Sequence, residues 1–120
     1  MKNLAEYLLE SLKKGVKVKM RNAIDGQTGK YFDAVVLCDE FKVPGNEMDF
    51  EGFVFIKLKD KPSYLANDVQ LAIYDGDDWS FDPTFWETVG DDIKYYEKPL
   101  AQAGLKAEWN DEGYYVPVSK

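Results

Sequence analysis

The chain has 120 residues, of which 45% are hydrophobic and 31% are charged, and it carries a net charge of −7. This size and composition are typical of one globular domain covering residues 1–120, and they exclude a disordered chain. Histidine is absent and cysteine occurs once, which excludes Ser-His and Cys-His catalytic pairs, histidine-based zinc sites and an internal disulfide.

The N-terminal stretch predicts a helix over residues 4–14. Asn3 and Glu6 have the spacing of a capping box, leucines repeat at helical intervals after them, and Gly15 follows as a stop signal. Acidic residues interrupt the apolar stretch, so it does not resemble a signal peptide, and no apolar run reaches the roughly 20 residues that span a bilayer. We therefore expect a cytoplasmic protein that does not contact a membrane.

Alternating or continuous apolar residues predict strands in five places along the rest of the chain. These are residues 15–21, 30–41, 53–58, 68–74 and 113–118. Glycine-containing turns are expected at 25–29 and 43–46, a short helix is expected around Leu100–Leu105, and Pro117 marks the last strand as an edge strand. The resulting prediction is an α+β fold in which the N-terminal helix packs on a mainly antiparallel sheet of about five strands.

The first predicted strand has a basic row on its polar side. This row consists of Lys17, Lys19 and Arg21. Together with aromatic residues on the next strand, such as Tyr31, it could grip phosphates as a single-strand binder does. Alternatively, cross-strand acids such as Asp33 neutralise the row, and the acidity of the chain as a whole favours this second interpretation.

The most unusual stretch is residues 74–92, "YDGDDWSFDPTFWETVGDD", which we call the acidic segment. It holds seven acidic and five aromatic residues and no Lys or Arg. The base-free region extends from Pro62 to Ile93 and contributes −8, so the remainder of the chain sums to +1. The net charge of the protein is therefore concentrated in one region.

The sequence of this segment does not favour metal binding. Asp75 and Asp77 have the spacing of the first two ligands of a calcium loop. The later positions, where that loop needs an oxygen ligand, a glycine and a bidentate glutamate, hold Trp79, Ser80 and Trp86. We therefore expect no metal and no other cofactor.

A second catalytic possibility lies in "VVLCDEFK", where Glu40 and Lys42 are separated by one residue. This stretch resembles the Glu-x-Lys half of the PD-(D/E)xK nucleases. The resemblance implies a Mg²⁺-dependent nuclease in which Glu40 holds the metal, Lys42 is the catalytic lysine, and Asp25 or Asp33 is the second acid. A turn follows where those nucleases have a helix.

Cys38 lies within the same apolar stretch and is expected to be a small buried hydrophobe rather than a nucleophile.

The aromatic rings of the acidic segment predict how the segment is anchored to the rest of the domain. Large apolar rings prefer burial, so some of them should enter the core and fix the carboxylates in place. Fixed carboxylates can occupy a basic groove made for nucleic acid, with aromatic rings as anchors. We therefore expect a non-enzymatic protein that binds a basic, nucleic-acid-binding partner protein and does not bind nucleic acid itself. The predicted contact residues are Asp75, Asp77, Asp78, Trp79, Asp82, Trp86, Asp91 and Asp92.

The opening "LLESLKKGVKV" is similar to the helix, glycine and strand that begin some small phage anti-defence proteins, and it departs from them at Asn22, where those proteins often have Trp. The resemblance implies an inhibitor of a bacterial defence nuclease, of the anti-CRISPR or antirestriction type. Two other functions remain open. One is a binder of a nucleotide-like or sugar-like ligand, and the other is an immunity protein that neutralises a toxin.

Overall fold

The computed structural model describes residues 13–24, 31–42, 52–74 and 79–120. The strands in these ranges are β1 (Lys17–Asn22), β2 (Tyr31–Val36), β3 (Phe41–Lys42), β4 (Gly52–Leu58), β5 (Val69–Tyr74), β6 (Trp79–Asp82), β7 (Leu105–Trp109) and β8 (Tyr115–Ser119). The helical segments are α1 (Phe85–Thr88), a 3₁₀ helix (Gly90–Tyr96) and α2 (Glu97–Gln102). Within the described residues, no helix is both long enough and apolar enough to cross a bilayer.

Five strands form a closed barrel. They pair in the order β2, β1, β6, β5, β4, and β4 pairs again with β2. All of these pairs are antiparallel except β1 with β6, which is parallel. Antiparallel neighbours alternate in direction around a barrel. With an odd number of strands this alternation cannot be completed, so at least one neighbouring pair must be parallel.

A break separates β2 from β3, although both pair with β4. Val36 is paired with Ile56 and Phe41 with Phe53, so four residues on one side lie opposite two on the other. The extra residues form a bulge, and the sulfur of Cys38 accepts a hydrogen bond from the backbone N–H of Phe55 across it (3.3 Å). The single strand predicted over residues 30–41 is therefore two strands.

The inside of the barrel is apolar. Paired residues on neighbouring strands share a face, so the register assigns each side chain to the inside or the outside. Fully or almost fully buried residues on the inner face are Met20, Ala34, Val36, Val54, Ile56, Leu58, Ala72, Tyr74, Trp79 and Phe81. On this inner face of the described strands, the buried polar residues are Asn22 and Gln70.

The outer face of β4 is covered by the helical segments. Phe55 contacts Phe85, Trp86 and Tyr96, with ring centroids 5.7, 5.8 and 6.1 Å away. Burial of both faces explains why β4 reads as a continuous apolar run rather than an alternating one. Among the described residues, the layer on this face of β4 comes from residues 85–100, after the barrel strands.

Strands β7 and β8 form a separate hairpin beside α2. Ala107 pairs with Pro117 at its centre. Asn110 begins the turn, where its side-chain oxygen accepts hydrogen bonds from the backbone N–H groups of Glu112 and Tyr114 (3.0 and 3.1 Å). Gly113 has φ +95°, a conformation that glycine adopts without strain. Sequence reasoning found β8 but missed β7.

The predicted α+β fold is wrong, because the described residues are mostly β: a closed five-stranded barrel, a two-stranded sheet and short helical segments. Residues 4–12 of the predicted N-terminal helix lie outside the described residues, as do the turns predicted at 25–29 and 43–46. Lys13 and Lys14, at the end of that predicted helix, lie in the irregular turn that leads into β1. Strands β1, β4, β5 and β8 are confirmed. The short helix predicted around Leu100–Leu105 is present but spans Glu97–Gln102, and Leu105 begins β7.

Candidate functional site

The aromatic rings of the acidic segment lie in the core. Trp79 stacks on Tyr74 inside the barrel with ring centroids 5.5 Å apart. Phe81 meets Phe32 edge to face at 5.6 Å, also on the inside. Side chains of β6 alternate between the inside and the outside of the barrel. The two rings on its inner side anchor the strand in the barrel wall. The expectation that rings fix this segment in the core is confirmed by their burial.

Trp86 is held on the opposite side of the wall. It stacks on Phe55 with an interplanar angle of 23°, and its indole N–H donates a hydrogen bond to the carbonyl oxygen of Val69 (2.8 Å). Trp79 and Trp86 are each 3% exposed. The structure therefore places both predicted anchor residues in the core, where neither ring faces a partner.

The acidic residues occupy several different settings. Asp75, Asp77 and Asp78 lie outside the described residues. Asp82 ends β6, and its Oδ1 accepts hydrogen bonds from the backbone N–H and the hydroxyl of Thr84 (2.9 and 2.7 Å), which fixes the turn into α1. Asp91 and Asp92 are exposed in the first turn of the 3₁₀ helix. These two carboxylates are available to a partner at the surface.

Tyr96 lies near two of the acids. Burial, together with the negative charges of Asp92 and Asp82, raises the pKa of its hydroxyl from 10.0 to about 12. Both carboxylates therefore act on one phenol, although they are ten positions apart in sequence. Asp82 and Asp92 lie close enough to Tyr96 to influence its ionisation.

The predicted basic row lies on the outer face of β1. Lys19 pairs in register with Asp33 of β2, and their charged groups are 3.7 Å apart, with both side chains exposed. Such surface ion pairs contribute little to stability, about 0–1 kcal/mol. The row is thus partly neutralised across the strand, as the second sequence interpretation expected. Arg21 lies opposite Tyr31 and is half-buried.

A groove of about 530 Å³ lies where β1, β2 and β4 adjoin. Val35 pairs with Lys17 on one side and Lys57 on the other, so an apolar side chain separates two ammonium groups. Charged residues lining the groove are Lys17, Lys57, Lys59, Asp33 and Asp68. Sequence reasoning missed Lys57, although its position as the one charge within the apolar run "FVFIKL" was a signal for an exposed site.

The nuclease-like residues are not assembled into a metal centre in the described part of the chain. Asp33 faces Lys19 on the outer face of the barrel, and Asp25 and the side chain of Lys42 lie outside what is described. Within the described ranges, no three His, Cys, Asp or Glu residues are placed to hold a metal ion. Cys38 is fully buried, and burial raises the pKa of its thiol to about 11, as expected for a structural cysteine.

Comparisons with protein-family models, with curated proteins and with solved structures found no match for this chain.

Proposed function

We propose that this protein is a non-enzymatic binding protein whose acidic segment engages a basic surface of a partner protein. The observation that carries the proposal is the charge distribution: eight acids and no base between Pro62 and Ile93, in a chain whose remainder sums to +1. The buried rings of β6 and α1 support it, because they anchor the chain in the core on both sides of the Asp82 carboxylate. Fixed charges lose less entropy on binding than mobile ones.

The class of partner follows from electrostatics. A surface with a concentrated negative charge attracts proteins whose own grooves are basic, and such grooves are made to bind nucleic acid. We infer a defence protein of the bacterial cytoplasm as the target, with this chain acting as an anti-defence factor of a phage or mobile element. An immunity protein directed against a basic toxin would use the same surface. The genes beside this one distinguish the two, since a toxin gene would indicate immunity.

The proposal is tested with a panel of purified restriction and CRISPR effector nucleases freed of nucleic acid. We expect binding to at least one, with an affinity that falls as salt rises and with competition by duplex DNA. The double variant Asp91→Lys and Asp92→Lys should weaken binding by about tenfold or more and reduce the salt dependence. Asp77→Lys with Asp78→Lys should act in the same direction.

The matched control reverses two exposed acids outside the acidic segment, Asp60→Lys with Glu108→Lys, and changes the net charge equally. It should weaken binding much less. If the control and the Asp91 and Asp92 variant lose the same affinity, net charge and not the acidic segment governs binding. If no nuclease in the panel binds, the proposed target class is wrong.

A second function is favoured by the groove between β1, β2 and β4. Three lysines outnumber the two acids, Asp33 and Asp68, around an apolar floor, and this balance suits a small anionic ligand, such as a nucleotide or a sugar phosphate. A thermal-shift screen with these compounds tests it, because a ligand that binds the folded state raises the melting temperature. Lys17→Gln should abolish the shift, whereas Lys106→Gln, on the distant hairpin, should preserve it. Absence of a shift with every compound would refute this function.

A further inference from the structure

The register of the β7–β8 hairpin determines which backbone groups point to its outer edges. The N–H of Asn110 donates to the carbonyl oxygen of Tyr114 (2.9 Å), and the N–H of Lys120 donates to that of Gly104 (3.0 Å). The pairing between these two ends is continuous. Backbone groups alternate between the two sides of a strand. The even-numbered residues therefore bond within the hairpin, and the odd-numbered residues point outward.

The outer edge of β8 is closed to a further strand. Pro117 lies at the centre of β8 and is one of its outward-pointing residues. Proline has no N–H to donate, so a strand that added to this edge would lose a hydrogen bond in the middle of its ladder. Proline on an edge strand is a common protection against such pairing.

The outer edge of β7 is open. Its outward-pointing residues are Leu105, Ala107 and Trp109, and in the described part of the chain none of their backbone groups is bonded outside the hairpin. Trp109 is 59% exposed, although it is one of the largest apolar side chains. An unpaired strand edge is a template for another strand. β7 can therefore accept a strand where β8 cannot.

The charges of β7 favour a second copy of β7 as that strand. β7 has the sequence "LKAEW", in which Lys106 and Glu108 flank Ala107. If two copies run antiparallel about a two-fold axis at Ala107, Lys106 of each copy lies opposite Glu108 of the other. A shift of this register by two residues would instead place Lys106 opposite Lys106, or Glu108 opposite Glu108. The charges therefore select one register.

The hydrogen-bond pattern requires the same register. Around Ala107 it pairs Leu105 of one copy with Trp109 of the other, and Ala107 with Ala107, so every bonded pair consists of outward-pointing residues. Lys106 and Glu108 then form the pairs without backbone hydrogen bonds, where side chains of neighbouring strands are closest. Backbone and charges are thus complementary in one arrangement.

The exposed Trp109 also has a place in this arrangement. A groove of about 530 Å³ lies between α2 and the hairpin, and Leu105 and Ala107 belong to its lining. Residues paired across two strands share a face of the sheet, so Trp109 of one copy would lie beside Leu105 of the other. Tryptophan is enriched among residues that anchor protein interfaces.

We propose that this protein forms a two-fold symmetric dimer through β7, in which the two hairpins join into one four-stranded antiparallel sheet. A two-fold interface needs a self-complementary surface, and "LKAEW" supplies one. The dimer goes beyond the proposed function and does not rest on it, because β7 lies outside the acidic segment.

Sedimentation velocity from about 5 µM to about 1 mM protein tests the proposal, with an expected dissociation constant on the order of 100 µM for so small an interface. Amide hydrogen exchange locates the contact. The N–H groups of Leu105, Ala107 and Trp109 should become protected as the concentration rises, whereas those of Lys106 and Glu108, already bonded within the hairpin, should change little. A chain that stays monomeric at about 1 mM overturns the proposal.

Charge reversal tests the register. Glu108→Lys and Lys106→Glu, made separately, each place like charges opposite one another and should weaken the dimer by about tenfold or more. The two substitutions in one chain exchange the charges at constant net charge and should restore it. An equimolar mixture of the two single variants should form a mixed dimer. The proposal is wrong if the single reversals leave association unchanged or if the double variant does not recover it.

Two further variants test the backbone and the ring. Ala107→Pro removes the outward N–H at the two-fold axis and should abolish the dimer, while the bonds within the hairpin remain. Trp109→Ala should weaken association, whereas Tyr31→Ala, which removes a 53% exposed ring from β2, should not. Equal losses in these two ring variants would mean that exposed rings associate without specificity, and would refute the proposal. A monomeric result leaves the nuclease-binding test unaffected, because that test is run well below the dissociation constant of the dimer.

Discussion

Replacing Trp86 with Phe tests whether the acidic segment is held by its rings. The substitution removes the indole N–H that donates to Val69 in a buried setting, and an unpaired buried carbonyl costs about 1–3 kcal/mol. The phenyl ring is about 40 Å³ smaller, and a cavity of that size costs about 1 kcal/mol at about 24 cal/mol per Å³. Trp86→Phe should therefore destabilise the protein by about 2–4 kcal/mol.

Urea denaturation monitored by circular dichroism measures this loss. With a urea dependence of about 1.5 kcal/mol per molar, the midpoint should fall by about 1–3 M. Trp109→Phe is the matched control, because Trp109 is 59% exposed and contacts Tyr115 edge to face at the surface of the hairpin. Its cost should stay below about 1 kcal/mol. If both variants unfold at the same urea concentration, Trp86 is not a core residue and the account of the acidic segment fails.

Two further predictions concern titratable groups. Tyr96 has a folded-state pKa of about 12 against 10.0 when unfolded, so it contributes stability below pH 10.0 that is lost as the pH rises towards 12. A spectroscopic tyrosine titration should show a late-ionising group whose pKa falls in Asp92→Asn, and an unchanged titration curve in that variant would contradict the effect of Asp92 on Tyr96. Cys38, with a pKa of about 11, should resist thiol reagents at about pH 8 until the protein is unfolded in urea. Rapid labelling of the native protein would show that Cys38 is accessible.

Several strands could be predicted from sequence because their apolar residues follow the burial of their faces. β1 alternates charged and apolar residues, so its period of two predicts both a strand and which of its faces is exposed to solvent. β4 and β5 are buried on both faces, and their apolar runs predict strands without indicating what covers them. The N-terminal stretch is the sequence with the clearest amphipathic helical pattern, and for that reason it was expected to cover the sheet. Among the described residues, the cover on β4 consists of short helical segments whose aromatic residues do not repeat at helical intervals.

Closure of the barrel could not be predicted, because it depends on long-range pairing. β1 meets β6 at Arg21 and Ser80, about halfway along the chain from one another, and nothing in either local pattern specifies that contact. β6 was also hidden, since its four residues "WSFD" lie among acids and glycine that are typical of a loop. Its alternation of Trp79 and Phe81 with polar residues was a signal of a strand that the acidic surroundings obscured.

The acidic segment combines two roles that must be varied separately. Trp79 and Phe81 complete the inside of the barrel, whereas Trp86 covers its outside, so substituting any of these rings perturbs folding before it perturbs binding. The carboxylates of Asp91 and Asp92 are exposed, and substitution of exposed surface residues usually changes stability by about 0.5 kcal/mol or less. Loss of partner binding in a tryptophan variant would thus be uninformative about the surface. Only charge reversals that leave the rings in place can distinguish an acidic segment that binds a partner from one that serves the barrel alone.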